Sequence, residues 1–316
     1  MNTMQAEGFD LIGDIHGHGQ PLRALLEKLG YRRRDGRYRH PARQAIFLGD
    51  FIDRGPEQRG VLDIVRPMVE DGAALSVMGN HELNALAFHT PDPGSEGGHL
   101  RERSEKNVAQ HRAFLDEHTH PTALDQAIAW FWQLPLWLDL GEIRVVHAAW
   151  DRRALEIVNP QVADGNRLTD ELLERASRRG SPEQDAVENL LKGIEATLPH
   201  DGHFHDKDGH PRRYMRLKWW LYPDGQTWRT MFLGPPSVAE TLPDVPLPPD
   251  VETGYPDTAP PVFIGHYWMT GTPTVQATNV ACLDYSVARD GGKLVAYRWD
   301  GETSLRDDRF VWVGRG

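Results

Sequence analysis

The stretch AIFLGDFIDRG, residues 45–55, begins with four apolar residues and ends in two acids, an arginine and two glycines. A short apolar run bounded by glycine reads as a buried strand. The residues just past that run carry chemistry: Asp50 comes directly after Gly49, and Asp53 and Arg54 come soon after it. The same event recurs along the chain. FDLI leads into Gly13, Asp14, Ile15 and His16, and LSVM leads into Gly79, Asn80, His81 and Glu82. IRVV leads into His147, and VFI into Gly265 and His266. Between the first of these strands lie PLRALLEKLG and EQRGVLDIVRPMVEDG, whose apolar residues recur at helical spacing. Strand and helix therefore alternate over the first ninety or so residues, which predicts an α/β sandwich or a doubly wound sheet.

In an open α/β sheet the carboxyl ends of the strands face one crevice. Five such ends are expected to gather two Asp, one Asn and several His side chains around one point. That donor set, all oxygen and nitrogen, suits divalent ions of the manganese, iron or zinc kind. One central carboxylate could bridge two of them, the arrangement used for in-line displacement at phosphorus. The glycines allow sharp turns at the strand ends and keep backbone out of the site.

The totals bound the alternatives. At 316 residues the chain can form one large domain. A formal net charge of −11 argues against a nucleic-acid backbone as partner. The single cysteine, Cys282, rules out an internal disulfide framework and reads as a small buried hydrophobe. No signal peptide is recognisable at the start, and IAWFWQLPLWLDL is too short and too interrupted to span a bilayer. A cytoplasmic protein with no membrane partner is expected.

We read the whole chain, residues 1–316, as a single domain with two insertions, a helical one at about 91–133 and a mixed one at about 154–260 that ends in a proline-rich loop. LWLDLGEIRVVHAAW predicts two strands joined by a tight turn at Gly141-Glu142. VFIGH, NVACLDY, KLVAYRW and RFVWVG predict a second, antiparallel sheet. His200, His203, His205 and His210 read as a polar surface loop rather than a third metal site, and His18 reads as exposed. Trp130, Trp132 and Trp137 read as core. Trp219 and Trp220 could stack a nucleobase or pack beneath the proline-rich loop.

GDIHG, GDFIDRG and GNHE, followed by a later strand-end His and then GH, resemble the calcineurin-like metallophosphoesterase superfamily. Within it they are nearest the serine/threonine protein phosphatases and the diadenosine tetraphosphatases. The resemblance implies a central β-sandwich flanked by helices. It implies that Asp14, His16 and Asp50 hold one metal, and that Asp50, Asn80, His147 and His266 hold a second. Manganese is the first expectation, with iron or zinc as alternatives. His81 would be the general acid, oriented by Asp53, and Arg54 would clamp the phosphate. A second phosphate-binding arginine is also implied, with Arg213, Arg216 and Lys218 as candidates. Two departures stand out. The usual glycines after the strand-end His are replaced by HAAW, whose methyl and indole are expected to narrow the pocket. Trp268 stands where nuclease branches carry a further His.

These motifs lead to a dimetal phosphoesterase that hydrolyses phosphomonoesters by in-line attack of a metal-bridging hydroxide. The expected substrate is a phosphoprotein, because Glu82 matches the protein-phosphatase form of GNHE. The alternative is hydrolysis of dinucleoside polyphosphates, to which the tail NVACLDYSVARDGGKLVAYRWDGE points. A metal-binding scaffold without turnover and a nucleic-acid end-processing phosphatase are the remaining readings. The full ligand set argues against the first of these, and the acidic charge against the second.

Overall fold

In the computed structural model the described residues are 7–198, 203–205 and 211–315. The chain begins β1 (Gly8–Ile12), α1 (Gly19–Leu29), β2 (Arg32–Arg34), β3 (Arg37–Arg39), β4 (Arg43–Phe47), α2 (Gln58–Glu70) and β5 (Ala74–Ser76). It continues with α3 (Asn80–His89), α4 (Glu105–Glu117), α5 (Pro121–Phe131), β6 (Trp137–Asp139) and β7 (Arg144–Val146). Then come α6 (Arg152–Val158), α7 (Asp170–Ala176), α8 (Pro182–Lys192), β8 (Glu195–Thr197), β9 (Phe204–His205), β10 (Pro211–Arg212) and β11 (Tyr214–Arg216). The last elements are α9 (Trp228–Met231), α10 (Pro236–Ala239), β12 (Val262–Ile264), β13 (Val280–Cys282), β14 (Asp284–Tyr285), β15 (Lys293–Trp299) and β16 (Phe310–Gly314).

Two sheets form the centre. One runs β14-β15-β1-β4-β5, with β16 also paired to β15; the other runs β13-β12-β7-β6. Strand composition explains the layering. In β1, β4, β7, β12, β13 and β15, one set of alternate residues (Leu11, Ile46, Val145, Phe263, Ala281, Val295, Tyr297) packs between the sheets. The other set (Ile12, Phe47, Val146, Ile264, Cys282, Ala296) packs with the helices. Successive side chains point to opposite faces of a strand. Strands covered on both faces must be apolar throughout, which is why they read as unbroken hydrophobic runs.

The last strands depart from the expected separate antiparallel sheet. β12 pairs in parallel with both β7 and β13, whereas β14, β15 and β16 extend the first sheet. The chain changes sheets at Leu283, the single residue between β13 and β14. The predicted turn at Gly141-Glu142 is present, closed by Leu140 N–H donating to Ile143 O at 2.9 Å.

Helix boundaries follow local chemistry. α1 ends at Gly30, whose φ of 98° is the left-handed conformation that closes helices. α2 runs through Pro67. At α3 the Glu82 carboxylate reaches back to accept the Gly79 N–H at 3.0 Å. That fixes Asn80 and His81 on the first turn of the helix, directly after β5.

Candidate active site

Each predicted side chain lies just past a strand end. Asp14 and His16 follow β1, Asp50 follows β4, Asn80 and His81 open α3, His147 follows β7 and His266 follows β12. All are buried except His81, which is partly exposed. The structure brings them together around Asp50. Its Oδ2 lies 3.4 Å from His147 Nε2, 3.6 Å from His16 Nε2 and 3.9 Å from His81 Nε2. Two trios, His16–Asp50–His81 and Asp50–His147–His266, each have donor atoms within 4.8 Å of one another, and Asp50 belongs to both. Asn80 Oδ1 is 2.7 Å from His266 Nδ1 and 3.3 Å from His147 Nε2. Asp14 accepts the His266 backbone N–H at 3.1 Å and stands 3.9 Å from His16 Nε2.

The backbone is bent to achieve this. His16, Asp50, Asp53, Arg54 and His266 are five of the nine described non-glycine residues with positive φ. Such conformations are costly and persist where the surroundings over-determine them. Close approach requires glycine at two strand ends. A Cβ at Gly79 would fall on the Asp50 carboxylate and backbone nitrogen, and one at Gly265 on the Asp14 carboxylate.

Electrostatics describe a site made for cations. Burial works to raise Asp50, but the His147, His81 and His16 imidazoles hold it well below the usual carboxylate range. Burial, together with the Asp284 and Asp50 charges, pushes Asp14 well above that range. Burial opposes charge on His147, yet Asp50 and Asp14 push it up to about 10. Burial lowers His16 to about 3, so its ring stays neutral. Its Nδ1 lies 3.2 Å from Ile52 O, which fixes that nitrogen as the donor and leaves Nε2 a lone pair facing the site. Nε2 of His16 and Nε2 of His266 are both buried with no hydrogen-bond partner. Orphaned lone pairs beside crowded carboxylates fit divalent cations, which satisfy the one and relieve the other.

Beside this centre, His81 Nδ1 is 2.5 Å from Asp53 Oδ2. Burial works to lower His81, but Asp50 and the hydrogen bond to Asp53 outweigh it and raise it above the usual imidazole range, which favours the charged ring. Arg54 is exposed at the edge of the site, its Cζ 4.2 Å from the Trp268 ring centre.

Two residues escaped the sequence reading. Buried His111 of α4 places Nδ1 2.8 Å from Asp53 Oδ1, so Asp53 is held between two imidazoles. The available signal was the spacing of His111, Phe114 and His118 along one helical face. Glu82 accepts N–H groups from Asp50 at 2.8 Å, Phe51 at 2.9 Å and Gly79 at 3.0 Å. It locks the segments that follow β4 and β5 together.

Some of the other expectations change and some hold. His18 is buried, its Nδ1 2.8 Å from His16 O. Trp219 and Trp220 are buried, Trp219 Nε1 donates to Ala148 O at 3.1 Å, and Tyr255 of the proline-rich stretch packs on Trp219, so neither indole is open to a nucleobase. Trp150 stacks with the Arg144 guanidinium at 4.8 Å, and Ala148 and Ala149 are buried. Of the three candidate cations, Lys218 Nζ donates to Thr230 O at 3.0 Å and Arg213 is exposed, whereas Arg216 is half-buried, 3.7 Å from Glu195 Oε1, and adds its charge to the burial that lowers His266. Trp130 and Trp137 are core, and Trp132 is partly exposed at its edge. His200 and His210 lie outside the described residues, and His203 is exposed. Among the described residues no helix is long and apolar enough to cross a membrane.

The sequence profile of the calcineurin-like phosphoesterases matches residues 9–205. The chain is 33% identical over 142 residues to the asymmetrical bis(5'-nucleosyl)-tetraphosphatase PrpE of Oceanobacillus iheyensis, covering 44% of this chain and 54% of that protein. It is 46% identical over 74 residues to the enzyme of the same name from Halalkalibacterium halodurans, covering 23% of this chain and 30% of that one. The chain thus spans about half the length, or less, of these curated relatives. A crystal structure described as a putative diadenosine tetraphosphatase aligns over 99% of this chain and 94% of its own, at 18% identity and a TM-score of 0.45.

Proposed function

The chain belongs to the calcineurin-like phosphoesterases, a family of metal-dependent phosphoester hydrolases, and we propose that it hydrolyses dinucleoside polyphosphates. One observation carries the chemistry: Asp50 Oδ2 lies 3.6 Å from His16 Nε2 and 3.4 Å from His147 Nε2, so one carboxylate is in reach of donors of both proposed ion sites. The substrate rests on the similarity to tetraphosphatases. That similarity favours the dinucleotide over a phosphoprotein. The opposing cue, Glu82, loses its force because its carboxylate is occupied by three backbone N–H groups.

In this reading Asp14, His16 and Asp50 would hold one divalent ion, and Asp50, Asn80, His147 and His266 would hold another, with manganese preferred over iron or zinc. Such ions neutralise phosphate charge and make a bound water acidic near neutral pH. The chain supplies the rest. Asp53 fixes His81 through Nδ1, leaving Nε2–H to protonate the leaving oxygen. Arg54 offers parallel N–H donors to the phosphate, and Arg216 is the second such donor.

The test is a comparison of initial rates on diadenosine tetraphosphate and a phosphoserine peptide, using the full chain loaded with manganese. We expect kcat/KM to be higher for the dinucleotide. A higher value for the peptide would restore the protein-phosphatase reading, and turnover of neither by a chain holding two ions would favour a scaffold.

A further inference from the structure

Trp268 has a φ of 55°, a left-handed conformation rare for a bulky side chain. What holds it there is a buried acid. Trp268 N–H donates to Asp284 Oδ2 at 2.7 Å, and Asp284 Oδ1 accepts Ser286 N–H at 2.9 Å. Ser286 O in turn accepts Arg289 N–H at 2.8 Å. One carboxylate therefore ties the loop after β12 to the turn after β14. The consequence is that two guanidinium groups meet one indole. Arg54 Cζ and Arg289 Cζ each lie 4.2 Å from the Trp268 ring centre.

Neither guanidinium makes a hydrogen bond or an ion pair with a described residue, and Arg289 Nε is buried without a partner. Two like charges held within about twice that stacking distance repel each other, and the stacking alone leaves their N–H donors unused. Arginine forks match phosphate oxygens two at a time. A monoester brings one phosphate, which Arg54 already serves. A phosphoanhydride chain brings a second.

We propose that Arg289, held on Trp268 beside Arg54, is a second phosphate position that takes the phosphate next to the scissile one in a phosphoanhydride chain. This deepens, and rests on, the dinucleotide reading above. It makes Arg289 a specificity residue, distinct from the donors that serve the reacting phosphate.

The experiment compares wild type, Arg289→Gln and Arg289→Lys on diadenosine tetraphosphate and on p-nitrophenyl phosphate. In Arg289→Gln the ratio of kcat/KM for the dinucleotide to that for the monoester should fall roughly tenfold to a hundredfold, carried by KM. Arg289→Lys, which keeps the charge but not the fork, should fall between. Equal losses on both substrates would overturn the proposal, since Arg289 would then merely prop Trp268. An unchanged ratio would also overturn it. Inhibition of monoester hydrolysis by tripolyphosphate and by orthophosphate separates this inference from the one beneath it. If wild type does not turn over the dinucleotide, the substrate reading fails by itself. Selectively weaker inhibition of Arg289→Gln by tripolyphosphate still supports Arg289, and equal inhibition of both proteins overturns it.

Discussion

Asp53 accepts from two imidazoles at once, His81 at 2.5 Å and His111 at 2.8 Å. Burial works against its charge, but the hydrogen bonds from His111 and His81 lower it to about 2. It is therefore ionised near neutral pH, and an ionised Asp53 favours the charged form of His81. His111 acts as a positioning residue, fixing one carboxylate oxygen so that the other meets His81. His81→Ala should lower kcat roughly 10²–10⁴-fold while metal content is kept. His111→Leu should lower kcat less, and more for substrates with poor leaving groups than for p-nitrophenyl phosphate. His111→Asn, which restores a donor near the Nδ1 position, should recover part of the loss. Equal losses across leaving groups would reduce His111 to packing. At this scale the motif residues were legible because each comes directly after an apolar run. His111 was not, because its partner lies 58 positions away and its helix has a polar surround.

The elements explain why the motifs converge. β1, β4 and β5 are parallel neighbours, as are β7 and β12, so their carboxyl ends open on one side. These strands were readable because both faces are apolar, and for the same reason their sheet membership was not. Nothing in NVACLDY marks Leu283 as the point where the chain crosses between sheets, since either sheet accepts its alternation. The turns after the strands are under tighter constraint than the strands themselves. Gly79→Ala would push a methyl group onto Asp50, which His81 N–H and Glu82 hold in place. We expect a loss of roughly 1–3 kcal/mol in chemical denaturation, with a larger proportional loss of metal affinity by titration. Retained stability and affinity would show that this close approach is not needed.

Across the whole molecule, a chain with a formal net charge of −11 builds a site for an anionic substrate. Asp14, Asp50 and Asp284 are buried together, and their mutual repulsion is what bound cations would relieve. The region between His147 and β12 was the hardest to read. Its helices are short, α6 and α7 having seven residues each, and its tryptophans lie in polar, proline-rich sequence. Trp219 and Trp220 pack into the main core beneath the stretch that carries Tyr255, the second of the two roles their sequence allowed, between which periodicity could not choose. If Asp50 is shared by two ions, metal stoichiometry should reveal it. Elemental analysis of manganese-reconstituted protein should find two ions per wild-type chain and fewer than one in Asp50→Asn, because both proposed ion sites would lose their common ligand. Two tightly bound ions in Asp50→Asn would show that Asp50 is not shared.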